Sequence, residues 1–196
     1  ASRAALMDAA TSHPAGLVAV LGLHEAALHL LTTRHGVAIA IRNGAAHFVV
    51  GGSVERLAEF SDAARKVGAE RVVRLPVTVA SHTAAMAEAA HQFAATLAAA
   101  DLSPPRWPVL SAIDGRTLRT AADIRKAAAA QLAERLDWQS CLATLVERAP
   151  AALLEIGPGH ALARMAEAVG ITARALEEFA SAGGAPEWLA AKLSAH

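Results

Sequence analysis

Apolar and polar residues follow two periods along this chain, and the change from one to the other marks out its elements. Residues 16–23, "GLVAVLGL", are short, apolar and valine-bearing, and predict a strand. Across 24–35 the period becomes helical, with Ala27, Leu28, Leu30 and Leu31 on one face and Gly36 as the C-cap. "VAIAI" (37–41) and "HFVVGG" (47–52) predict two strands, with Asn43-Gly44 favouring a tight turn between them. Ser53 can cap the next helix, whose Leu57, Phe60, Ala64 and Val67 form a stripe that ends at Gly68. "RVVRLPV" (71–77) predicts a further strand, so residues 16–77 read βαββαβ, the split pattern of a ferredoxin-like unit.

The pattern after residue 77 is different. A helix over 83–100 turns Met86, Ala89, Phe93 and Leu97 to one face, and a loop with three prolines follows at 101–108. "VLSAI" (109–113) reads as a strand ending in an Asp114-Gly115 turn. A helix over 121–135 points Ile124, Ala128 and Leu132 inward, with Gln131 close to that face, and another starts at Trp138 with Leu142 and Leu145. "AALLEI" (151–156) reads as a strand, Gly157-Pro158-Gly159 as a sharp turn, and 160–169 as a helix. The tail, 171–196, is weakly patterned, with a short helix near Trp188. At the other end "ASRAALMDAA" looks helical and uncapped from its first residue, with Ala5, Leu6 and Ala9 on one face, which predicts that this chain is the later part of something longer.

Composition narrows the function classes. Hydrophobic residues make up 54% of 196, enough for a sizeable core, yet no run reaches the ~20 apolar residues of a membrane span. Eighteen basic residues balance eighteen acidic ones, without the basic stripe that nucleic acid requires. Neither a membrane nor a nucleic acid is an expected partner, and the cytosol is the expected location. The single cysteine, Cys141, excludes an internal disulfide, sits among apolar neighbours and reads as a buried thiol.

Candidate chemistry is sparse. None of the nine histidines has metal-ligand spacing, and no metal or cofactor is expected. His24, His29 and His35 share one helix and read as a solvated face, and His91 reads as exposed. His160 follows the Gly-Pro-Gly turn and could cap a helix, whose start could also take an anion, although a plain tight turn explains the segment as well. There is no G-x-S-x-G elbow, since Ser53 in "GGSVE" has the place of an N-cap. His82, in "VASHTAAM", differs in standing at a junction from apolar run to helix, where α/β enzymes place catalytic groups on loops. The spacing alone leaves both a structural histidine and a base open.

Six segments, taken in order, resemble the malonyl-CoA:acyl-carrier-protein transacylases and the acyltransferase domains of polyketide synthases. They are "SRAALMDAA", "GLVAVLGL", "NGAAHFVVGG", "GAERVVRLPVTVASHTAAM", "AQLAERLDWQSCL" and "LLEIGPGHAL". The resemblance implies an α/β fold: an α/β-hydrolase-like large subdomain, residues 1–15 and 78–196, of which only the later part is here, with an inserted ferredoxin-like small subdomain, residues 16–77. It implies transfer of a malonyl group from coenzyme A to the phosphopantetheine thiol of an acyl carrier protein by a Ser-His ping-pong route. His82 would be the base, the backbone carbonyl of Gln131 would hold its tautomer, and Arg3 would bind the malonyl carboxylate. The family's Gly-His-Ser-x-Gly nucleophile motif is absent, so the serine is expected upstream of this chain.

Some segments depart from the family pattern. "NGAAH" lacks the family's proline and has His47 where glutamine is usual, and Val-Ala-Ser before His82 is compatible with malonyl or methylmalonyl. Fatty-acid synthesis, polyketide synthesis and the malonyl-loading step of malonate decarboxylase are the settings the resemblance allows. A non-catalytic scaffold that binds carrier protein is the reading of another class.

Overall fold

The computed structural model describes residues 2–181 and 183–194. Its contacts divide the chain into two compact units, one reaching to Cys141 and the other starting at Leu142. The fold is α/β, with one mixed sheet in the first unit.

In that unit α1 (Arg3–Ala10) leads to β1 (Ala15–Leu21), α2 (Glu25–His35), β2 (Ala38–Gly44), β3 (His47–Ser53), α3 (Val54–Lys66) and β4 (Arg71–Arg74). A 3₁₀ turn, Ala84–Met86, precedes α4 (Ala87–Ala98). Then come β5 (Val109–Leu110), β6 (Thr117–Leu118), α5 (Ala121–Ala130), β7 (Leu136–Asp137) and α6 (Trp138–Arg148), within which the division falls. The main sheet has the order β4-β1-β3-β2-β7. β1 pairs antiparallel with β3 and β4, β2 antiparallel with β3, and β7 parallel to β2. β5 and β6 form a separate antiparallel pair.

Strand alternation sets the core, because successive side chains leave opposite faces of a sheet. Val18, Val20, Phe48 and Val50 face one way and pack with Leu28, Leu31, Leu57, Phe60 and Ala64 of α2 and α3. Leu17, Ala40 and Val49 face the other way, against partly buried Leu75 and Val77. A separate core joins Leu6 and Met7 of α1 to Met86, Ala89 and Leu132.

Several elements differ from expectation. α1 does have a cap: the Ser2 Oγ accepts the Ala5 N–H at 3.3 Å, and its buried residues are Leu6 and Met7 while Ala5 and Ala9 are exposed. In α2 only Leu28 and Leu31 go inside, and Leu30 is 73% exposed. His35 is half-buried, edge-on to Phe60, and does not belong to a solvated face. The stripe of α3 stops at Ala64, with Val67 exposed. The hairpin turns at Ala45-Ala46, because β2 runs through Gly44 and the register jumps from Arg42↔Phe48 to Gly44↔His47, leaving Asn43 bulged. β4 ends at Arg74, where Leu75-Pro76 breaks the ladder. α5 ends at Ala130, five residues short of the expected limit. The expected cap of α3 by Ser53 and the C-cap at Gly36, with φ 61°, are both present.

The second unit holds β8 (Leu153–Glu155), α7 (Ala161–Ala168), β9 (Ala173–Ala175), a 3₁₀ turn at Leu176–Glu178 and α8 (Gly184–Ser194). β8 and β9 pair in parallel, and Leu142, Ala163, Ala166, Ile171 and Ala173 make a small core. β9 was not predicted; in the weakly patterned tail it is defined by its pairing with β8. Phe179 and Trp188 meet at a tilt, with ring planes 58° apart and centroids 5.8 Å apart, and the Arg174 guanidinium lies 4.2 Å from the Phe179 ring centre.

Candidate functional site

α5 ends in a C-cap, Gln131, whose carbonyl is one of the last in the helix and has no partner in the next turn. The Nδ1–H of His82 donates to that carbonyl. The next carbonyl, of Leu132, accepts the backbone N–H of His82 at 2.8 Å. One helix end thus holds both the main chain and the ring of a single histidine. Because Nδ1 carries the proton, Nε2 is left as the lone-pair nitrogen. His82 itself has φ 62°, in the left-handed region that residues with a Cβ rarely enter.

The core of Leu6, Met7, Met86, Ala89 and Leu132 explains the meeting of three distant segments. Leu6 and Met7 belong to the helix that begins with Arg3, Met86 follows His82 by one turn, and Leu132 follows Gln131. Arg3 is exposed and makes no hydrogen bond or ion pair among the described residues, yet its charge acts on the His82 imidazole. The His82 pKa lies below the usual histidine value: burial penalises the cation first, the Gln131 carbonyl opposes this, and the Arg3 charge adds to the lowering. The three residues singled out in the sequence, Arg3, His82 and Gln131, therefore come together. Sequence reasoning missed the Leu132 carbonyl and Thr83, whose hydroxyl donates to the Ala80 carbonyl at 2.7 Å across the His82 turn.

A cleft of about 930 Å³ opens nearby, walled by Gly51, Ser53, Arg56, Ala80, Thr83 and Met86 among others. Ala80 and Thr83, on either side of the Ser81-His82 pair, line it, whereas His82, Gln131 and Arg3 do not.

Other candidates resolve into structure. The Cys141 thiol donates to the Ser111 carbonyl at 3.2 Å, and burial, with Asp137 beside it, pushes its pKa up to about 11. His160 stands at the N-cap of α7 without a capping bond, and the Glu155 carboxylate accepts the Ala163 N–H at 2.8 Å instead. A carboxylate already at that helix start disfavours an anion there. The Asn43 amide lies 3.3 Å from the His47 Nε2, and burial lowers the His47 pKa. Among the described residues no three of His, Cys, Asp and Glu group to hold a metal ion, and no helix is long and apolar enough to cross a membrane.

The acyl transferase domain family matches residues 1–189. The malonyl CoA-acyl carrier protein transacylase of Salmonella typhimurium is 28% identical over 186 residues, covering 92% of this chain and 60% of the relative. That of Mycobacterium tuberculosis is 34% identical over 179 residues, covering 89% and 58%. The crystal structure of FabD from Acinetobacter baumannii superposes with a TM-score of 0.89 at 26% identity, covering 99% of this chain and 63% of that one. The chain thus spans about three fifths of the length of these curated relatives.

Proposed function

The chain belongs to the acyl transferase domain family, and from that premise we propose that it serves the transfer of a malonyl group from coenzyme A to the phosphopantetheine thiol of an acyl carrier protein. Residues 16–77 are the inserted ferredoxin-like small subdomain, and 1–15 with 78–196 belong to an α/β-hydrolase-like large subdomain. The nucleophile that this reading requires is a serine outside these 196 residues, upstream of them.

The observation that carries the reading is His82, with Nδ1–H committed to the Gln131 carbonyl and Nε2 free. A serine hydroxyl must lose its proton as it attacks, and Nε2 takes it. The serine oxygen bonds to the thioester carbon, and the resulting tetrahedral oxyanion collapses. The carbon–sulfur bond breaks, and the imidazolium returns its proton to the departing coenzyme A thiol. The carrier thiol then gives its proton to the same nitrogen, attacks the malonyl-serine, and frees the serine with a proton back from the histidine. The Arg3 guanidinium, unpaired among the described residues, takes the malonyl carboxylate in two parallel charge-assisted bonds.

His82→Asn tests the base. Asparagine tolerates the left-handed backbone, so the turn is kept while the imidazole is lost. In the full-length protein, malonyl-enzyme formation from radiolabelled malonyl-CoA is expected to fall by ~10²–10⁴. Unchanged single-turnover labelling in a folded variant would remove His82 from the reaction. No labelling of any serine in the wild-type protein would favour a carrier-binding scaffold instead.

A further inference from the structure

Resting on the reading of His82 as the base, we propose that Thr83 is a positioning residue for its imidazole, with Gly51 as the seat that lets it act. His82 at φ 62° is the strained position of the turn Ala80–Thr83, and something must hold it there. The two bonds from the end of α5 reach only His82 itself. The turn's other side is fixed by Thr83. Its Oγ1–H donates to the Ala80 carbonyl at 2.7 Å, joining the residue before the turn to the one after it. Its own carbonyl accepts the Met86 N–H at 2.9 Å, which starts the 3₁₀ turn into α4. Thr83 and Ala80 are buried, so the hydroxyl and the carbonyl have each other in place of water.

The methyl of Thr83 has a separate contact. It lies over Gly51 of β3 so closely that a Cβ on Gly51 would stand 2.9 Å from Thr83 Cγ2 and 3.0 Å from Leu17 Cδ2. Leu17 and Gly51 face each other across β1 and β3. The sheet thus supports the Thr83 side of the turn while α5 grips the His82 side, and the ring is oriented between them. A hydroxyl and a methyl on one side chain do two different things here, and substitutions can separate them.

The test reads the His82 ring nitrogens by ¹⁵N NMR in the full-length protein labelled at histidine, with His82→Asn to assign the signal, alongside single-turnover malonylation. Thr83→Ser keeps the hydroxyl and should leave the Nδ1–H tautomer dominant. Thr83→Val keeps the shape but strands the Ala80 carbonyl. It should mix the tautomers and slow acyl-enzyme formation on the order of 10-fold or more, with KM for malonyl-CoA unmoved, the pattern of a misplaced group. Valine indistinguishable from serine in both readouts would overturn the proposal. If Thr83→Val does not fold, Gly51→Ala against Gly51→Ala/Thr83→Ser decides. The single variant should mix the tautomers, and the double should restore Nδ1–H because the Thr83 methyl is gone and the remaining 3.0 Å contact is with the end of the flexible Leu17 side chain, which can turn aside; a double variant no better than the single one overturns the seat. If the tautomer follows Thr83 as stated while His82→Asn leaves acylation intact, the positioning stands and the base assignment falls. If His82→Asn abolishes acylation while the tautomer ignores Thr83, the positioning fails.

Discussion

Arg42 and Asp137 make the ion pair with the greatest expected effect on folding. Arg42 Nε lies 3.1 Å from Asp137 Oδ1, with side chains 24% and 11% exposed. The same carboxylate oxygen accepts the Ser140 N–H at 3.0 Å and so caps the start of α6. The pair sits where β7 joins β2, with Arg42 opposite Asp137. Losing one partner of a fully buried pair costs ~3–5 kcal/mol, since the other charge is left in low dielectric. Arg42 keeps some water and Asp137 keeps its cap, so ~1–3 kcal/mol is expected for Arg42→Met, which retains most of the apolar stem. Arg135 offers a comparison within the same network, since Arg42 Nη1 also lies 3.4 Å from the Glu25 carboxylate. Arg135 pairs with Glu25 at 2.5 Å, but both side chains are 40% exposed. Solvent and side-chain entropy then leave only ~0–1 kcal/mol for Arg135→Met, despite the shorter contact. The assay is urea unfolding, with an Arg42→Met/Asp137→Asn cycle to isolate the coupling. Asparagine keeps an oxygen for the Ser140 cap, so the cycle reads mainly the charge pair. Equal losses for Arg42→Met and Arg135→Met, or a coupling near zero, would refute the reasoning that burial decides these energies.

Arg3→Ala should weaken malonyl transfer far more than acetyl transfer, because only malonyl presents a carboxylate; equal slowing of both substrates would make Arg3 structural. The same substitution removes a positive charge acting on His82, so the acid limb of the pH–rate profile should move to higher pH, by less in high salt. Burial lowers the pKa of both His82 and His47 in the folded chain. The unfolded chain therefore binds protons first as pH falls below ~6.5: the stability these two give is full above that value and is lost below it, and a His82→Asn/His47→Asn variant should show a flatter acid limb of unfolding free energy. Cys141, its thiol at about 11, should resist iodoacetamide at pH 8 until denaturant is added, and rapid alkylation of the native protein would contradict its burial.

Local devices were legible in the sequence. The strands expected near 16–23 and 47–52, the Ser53 cap and the Gly36 cap all depend on near neighbours, and they stand close to where the pattern put them. The two-residue strand β7 was missed because its identity comes from a parallel neighbour 95 positions away, not from its own pattern. The hairpin turn was misplaced because Asn43 bulges from the ladder, and the favoured dipeptide became the end of a strand. Around His82 the side chain was visible but its partners were not. Gln131 and Leu132 act through carbonyls, which side-chain chemistry does not reveal, and Gln131 was reached only through the family resemblance. The Gly51-Gly52 pair was a usable signal: two glycines at a strand end mark a close approach, here by the Thr83 methyl and the Val37 side chain.

On the proposed reading, a carbonyl in place of a carboxylate has a consequence for the base. A buried carboxylate on Nδ1 would fix the same tautomer, but its negative charge would also favour the imidazolium and raise the pKa. The neutral carbonyl gives the orientation with a weaker upward pull, and burial and the Arg3 charge outweigh it. The ring then stays neutral at pH 7, in the form that accepts a serine proton. Arg3 can press on His82 in this way only while its own charge is uncompensated. A malonyl carboxylate bound to Arg3 would cancel that pressure, so the base would become a better proton acceptor when the correct substrate is seated and remain a weaker one before acetyl groups. Binding and base strength would then be coupled through one guanidinium, and the His82 pKa measured with and without a non-reactive malonyl thioester should rise on binding. An unchanged value would confine Arg3 to anchoring alone.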